Sequence, residues 1–177
     1  MGGRAVNKEL LQKAGKVLTP LGVYLSESNI HRHPNFHPRA GDKELLVQYK
    51  ARHLNEYKLV PMADNENQLV VFCFEAGVRL VDDSVDKDSD DFVQVEITAI
   101  FTSEYMLSDR SSFDEEAFGE FLEHNVRHHV WPYWREYVQS TCGRMGLPAI
   151  PVPHQFHGAA KSRANQDQGN SEQKDQA

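Results

Sequence analysis

The chain has 177 residues, 40% hydrophobic and 10% aromatic, which suits one packed domain with tails. Its formal charge of −7, without a clustered Lys/Arg face, argues against a nucleic-acid reader and favours contact with basic partners. No run approaches the ~18 apolar residues that span a bilayer, and the N-terminal MGGRAVNKELLQKAGK lacks the apolar core of a signal peptide.

Gly2 does not open a myristoylation motif, because Val6 stands where Ser or Thr is required. Cys73 and Cys142 are too few and too far apart for a disulfide framework or a zinc pattern. They read as buried thiols of a reducing compartment. The expectation is a soluble, cytosolic protein.

In chain order, Leu10, Leu11 and Ala14 give residues 1–16 a short helical pattern, too short to be stable alone. From Val17 the signal becomes strand-like and reaches Ile30. HRHPNFHPRAGD follows as an irregular connection rich in histidine and proline. Leu45, Val47, Tyr49 and Ala51 share one parity, with Gln48, Lys50 and Arg52 on the other, which predicts a half-buried strand. The pattern continues weakly through Leu54 and Tyr57 to Pro61, and MADNEN turns the chain. Val70, Phe72, Phe74, Ala76, Val78 and Leu80 predict a third strand. DDSVDKDSDD is an exposed hairpin tip, and Val93, Val95, Ile97, Ala99 and Phe101 form a fourth strand. The short turns between the later strands imply antiparallel pairing.

Ser112-Phe113-Asp114-Glu115 has capping-box spacing with Ser112 as N-cap, and Phe118, Phe121 and Leu122 continue at helical intervals. A second helix is predicted from about Trp131, with Pro132 in its first turn, where a missing N–H costs nothing. Trp131, Trp134, Val138, Cys142 and Met145 form one face, and Gly146 followed by Pro148 marks the stop. Residues 158–177 carry no large apolar side chain and are expected to be a disordered polar tail. Strands followed by helices define an α+β fold: a four-stranded antiparallel sheet with two C-terminal helices on one face.

Candidate chemistry is sparse. His31, His33 and His37 share a loop and His128 and His129 are adjacent, but Pro34 and Pro38 break any recognisable ligand spacing. No metal and no cofactor are expected. The chain has no G-x-S-x-G elbow and no phosphate loop. Asp114, Glu115, Glu116, Glu120 and Glu123 read as a solvated face at a helix N-terminus. DDSVDKDSDD lacks the Gly and terminal Glu of a calcium loop. The aromatics Trp131, Tyr133, Trp134 and Tyr137 surround much of a helix. Either they pack into the sheet and an oligomer interface, or some line an exposed apolar groove. A pocket for a small ligand or a reaction, built from aromatics and histidines, is a further alternative from another class.

Trp131, Pro132, Tyr133, Arg135 and Glu136, then Ser140, Arg144, Leu147, Pro148, Ala149 and Ile150, follow a pattern that resembles the SecB family of ATP-independent chaperones. Val95, Glu96, Ile97 and Phe101 fit that family's last strand, and Tyr24, Leu25, Ser26 and Glu27 its first. The resemblance spans roughly residues 17–157, with 1–16 as an N-terminal extension; Trp134 replaces a small residue and DDSVDKDSDD lengthens a turn. It implies a SecB-like fold and a homotetramer, a dimer of dimers with apolar grooves for unfolded polypeptides, without catalysis. With such grooves, residues 31–43 are expected to form a groove wall and Phe36, Trp131 and Trp134 to contact clients. The resemblance also implies contact of Glu27 and Glu96 with the SecA translocation motor, in a bacterial cytoplasm where preproteins are kept export-competent. Family relatives that guard antitoxins of toxin–antitoxin systems give the alternative partner.

Overall fold

The computed structural model describes residues 6–39, 44–54, 57–63, 67–108, 110–154 and 161–163. Helix α1 (Lys8–Val17) opens it, capped by Asn7, whose side chain accepts the N–H groups of Glu9 and Leu10. So short a helix persists because it is docked. Ala14 is fully buried, Leu10, Leu11 and Val17 pack on the core, and the Asn7 N–H donates to Glu120 Oε1 at 2.6 Å. Lys13 pairs with Asp114. The chain passes directly into β1 (Leu18–Arg32).

The strands β2 (Leu46–His53), β3 (Lys58–Pro61), β4 (Gln68–Val81) and β5 (Val93–Leu107) follow. The order across the sheet is β1-β5-β4-β2, all antiparallel. Residues 18–107 therefore supply five strands, not the four expected. The weak continuation beyond Leu54 is the separate strand β3, which pairs Lys58 with Val71. β4 has 14 residues against the eight of β2, so β3 occupies the part of its edge that β2 does not reach. A short strand, β6 (Lys161–Arg163), adds to the other side of β2. It falls inside the segment expected to be a disordered tail; the rest of that segment lies outside the described residues. β5 continues six residues past Phe101, with Ser103, Tyr105 and Leu107 turned inward.

One face of the sheet is the core. Val70, Phe72, Phe74, Val95 and Ile97 are closed off from solvent beneath the helices. On the opposite face Lys50 Nζ lies 2.8 Å from Glu75 Oε1, and Arg52 also pairs with Glu75. Burial opposes ionisation of Glu75, but the hydrogen bonds from Lys50 and Arg52 outweigh it and hold its carboxyl below the usual range. Gly77 permits this arrangement, because a Cβ there would stand 2.5 Å from Lys50 Cε.

Helix α2 (Glu115–Phe121) is capped by Asp114 rather than Ser112, which belongs to a 3₁₀ turn (Arg110–Ser112). Asp114 accepts the Ala117 N–H and also meets Lys13, so one carboxylate caps α2 and anchors α1. These two contacts, Lys13 first, hold its pKa below the usual value. Glu120, expected on a solvated face, is 4% exposed because α1 covers it; His124 Nε2 stands 3.3 Å away. Leu122–Val126 forms a π-helical turn and α3 (Arg127–Met145) continues from it. α3 thus begins a turn earlier than expected, and Pro132 is interior. Pro132 and His128 are both exposed, so the His128 carbonyl that loses its donor faces water.

Gly146 ends α3 at φ 67°, with the Leu147 N–H donating to the Cys142 carbonyl at 2.9 Å. Gly146→Ala is expected to cost about 1 kcal/mol, since a Cβ is disfavoured in the left-handed region. Urea unfolding of the two proteins measures it.

Candidate functional site

β1 and β2 lie on opposite sides of the β5 and β4 pair, so the chain between them crosses one end of the sheet. Residues 33–38 of this crossover form one wall of a groove of about 540 Å³. Leu45, Val47 and Leu80 form its floor, and residues 147–151 its opposite wall. The tail reaches that position because α3 stops sharply at Gly146. Leu147, Ile150 and Val152 are buried against the sheet, the Tyr49 hydroxyl donates to the Pro151 carbonyl, and Trp131 Nε1–H donates to the Pro153 carbonyl at 2.7 Å.

The crossover wall is pinned by His33. Its N–H donates to the Gln94 carbonyl at 2.8 Å, and its carbonyl accepts the Phe36 N–H at 3.0 Å. Nδ1 accepts the Asn35 N–H at 3.3 Å, which leaves the proton on Nε2, 3.2 Å from Asp91 Oδ1. The His33 backbone therefore holds Phe36 in the groove wall, and its ring ties that wall to Asp91, just before β5. The lining combines aliphatic side chains and prolines with the polar His33, Asn35, His37, Asp91 and Gln94, which suits an extended segment with apolar side chains and a polar main chain.

Of the residues expected to touch clients, Phe36 alone stands in this groove, half-buried in its wall. Trp131 is 5% exposed beneath the tail and Trp134 is fully buried in the core. In this arrangement neither indole presents area to a ligand. Tyr133 is the exposed ring of the four, and Tyr137 is half-buried against Phe101. Glu27 and Glu96 share the face of the sheet opposite the helices, on neighbouring strands. In register, Glu96 is flanked by His31 on β1 and Arg79 on β4. Leu45, Val47 and Leu80 were visible in the sequence as core positions, and they are core: Val47 is fully buried behind the groove and Leu45 and Leu80 show it only their edges.

Elsewhere, Ser103 Oγ donates to Tyr105 Oη at 3.1 Å, and Tyr105 Oη meets His129 Nδ1 at 2.7 Å. Burial raises the Tyr105 pKa; burial, then His128, lowers that of His129. Ser103 and Tyr105 are each 1% exposed, so no substrate reaches the hydroxyls. Among the described residues no three His, Cys, Asp or Glu side chains converge as metal ligands. No described helix is long and apolar enough to cross a membrane.

No family model and no curated protein matches the sequence. Among solved structures the fold is similar to the Mycobacterium tuberculosis SecB-like chaperone Rv1957, in complex with a ChAD peptide from the Rv1956 HigA1 antitoxin. The TM-score is 0.58 at 14% identity, over 85% of this chain and 99% of that one. The chain thus has a SecB-like α+β fold, with the helices on one face of an antiparallel sheet.

Proposed function

We propose that the chain is an ATP-independent chaperone that holds an extended apolar segment of an unfolded or unfolded-like polypeptide. The observation that carries this reading is the groove with its aliphatic floor, set between the crossover and the C-terminal tail of a SecB-like fold. Covering ~400 Å² of client apolar surface gives roughly 10 kcal/mol gross. Ordering the client and losing its translational freedom cancel much of that. Clients engaged at several sites at once are therefore favoured, and release needs a competitor or a folded client rather than a nucleotide. No catalytic step and no cofactor belong to this reading.

Multiple grooves require an assembly. Strand β1 is 15 residues long, its outer edge has no partner among the described residues, and Leu21, Tyr24, Leu25 and Ile30 are exposed by about half, which supports a homotetramer built as a dimer of dimers. In a bacterial cytoplasm such an assembly would keep preproteins export-competent, with Glu27 and Glu96 facing the SecA motor. A second reading, a chaperone dedicated to an antitoxin, is favoured by the antitoxin peptide bound to the similar fold. Arg79, the β4 neighbour of Glu96, also weighs against a uniformly acidic motor-binding face.

The test is suppression of aggregation of an unfolded model protein without nucleotide. Phe36→Ala is expected to weaken binding of an apolar peptide about tenfold, with the melting temperature little changed. Undiminished affinity in that variant would remove Phe36 from the site. A purified antitoxin bound far more tightly than a preprotein would select the second reading.

A further inference from the structure

β2 lies at the sheet edge, so one side of its backbone pairs with β4 and the other needs a partner or water. Lys161–Arg163 supplies that partner, with Leu46 opposite Arg163, Val47 opposite Ser162 and Gln48 opposite Lys161. Val47 also forms part of the groove floor. Val47 therefore links the strand edge to the groove: its buried side chain backs the groove, and it stands opposite Ser162 of β6. The segment that covers the edge follows the tail that forms the groove wall.

We infer that Lys161–Arg163 is an internal occupant of a strand-addition site on β2. It is displaced when an extended client segment pairs with β2 and turns alternate side chains into the groove. This rests on the peptide-holding function proposed above. Two observations argue for displacement. The ladder is three residues long, whereas β2 itself has eight, so the internal strand is a weak hold and a longer client strand can outcompete it. The internal strand is also tethered, so it returns without diffusion once the client leaves. Affinity for an extended peptide is then reduced by the fraction of time the edge is covered.

The experiment compares the full chain with Ser162→Pro and with the double variant Lys161→Pro/Arg163→Pro. Proline has no N–H for the ladder, and the two variants together cover both parities of the strand. Binding of a short fluorescein-labelled Leu/Tyr-rich peptide is read by anisotropy. The same peptide N-methylated at alternate residues keeps its side chains and loses its ladder donors. One proline variant should bind the unmethylated peptide about fivefold more tightly, as expected for an edge covered four-fifths of the time. The methylated peptide should bind much more weakly to every form. Equal affinity of the parent and both proline variants overturns the inference, as does full binding of the methylated peptide. In those cases the unmethylated peptide still binds and the groove function stands; no binding to any form overturns the groove function itself.

Discussion

Trp134→Ala is expected to lower the unfolding free energy by about 3–5 kcal/mol, the range for emptying a large aromatic site in a core. The indole, carried by α3, is fully buried in the core, with the Tyr137 ring centroid 6.3 Å away. A domain of this kind has only about 5–15 kcal/mol in total, so the variant should be visibly unfolded at moderate temperature. Trp134 Nε1 is buried without a hydrogen-bond partner. Trp134→Phe therefore loses volume but also relieves an unpaired donor, whose burial costs about 1–3 kcal/mol. Phe should be tolerated far better than Ala. Calorimetry of the three proteins decides it. A Trp134→Ala protein with an unchanged melting temperature and weakened peptide binding would instead make Trp134 a contact residue.

Acidification should destabilise the protein through His53. The ring lies edge-on to Phe74 with centroids 5.0 Å apart, and both of its nitrogens are buried without partners. Burial lowers its pKa from 6.5 to about 4; Glu123 pulls it up and Arg127 pushes it down. The folded state thus binds this proton only near pH 4, whereas the unfolded chain binds it near pH 6.5. Stability falls as the pH drops through that window, by at most about 3 kcal/mol, less where solvent reaches the ring. His53→Phe keeps the aromatic packing and removes the titration. Its urea midpoint should change less between pH 7 and pH 4.5 than that of the parent. Identical slopes would assign the acid sensitivity to other groups.

The long strands were legible because each buries one face. Val70 to Leu80 and Val95 to Phe101 alternate, and the structure turns that parity inward; at Val93 a register shift breaks it. The stop at Gly146 was legible because a left-handed residue admits few side chains. What was not legible depends on distant partners. Asn7 meets Glu120 across more than a hundred residues, and that contact turns a marginal peptide into a helix and a surface-looking carboxylate into a buried one. Asp114 displaces Ser112 as cap because Lys13 and the Ala117 N–H meet at its carboxylate. Pro132 reads as a helix start under local rules, yet the π turn carries the helix through to it. For the site, Phe36 was legible as the one large apolar residue of the crossover. The burial of Trp131 and Trp134 was not, since periodicity places a ring on a face without saying how deeply that face is covered.

The pairing of Leu18 with Leu107 has a consequence for the newborn chain. β1 is the first strand to leave the ribosome, but its only described sheet partner, β5, does not begin until Val93. The hairpin of β4 and β5 can close as soon as it emerges, whereas β1 and α1 must wait for β5 and α2 respectively. During translation the first apolar strand is thus held open while later strands zip together, and the slowest step of folding is the return of the beginning of the chain to its end.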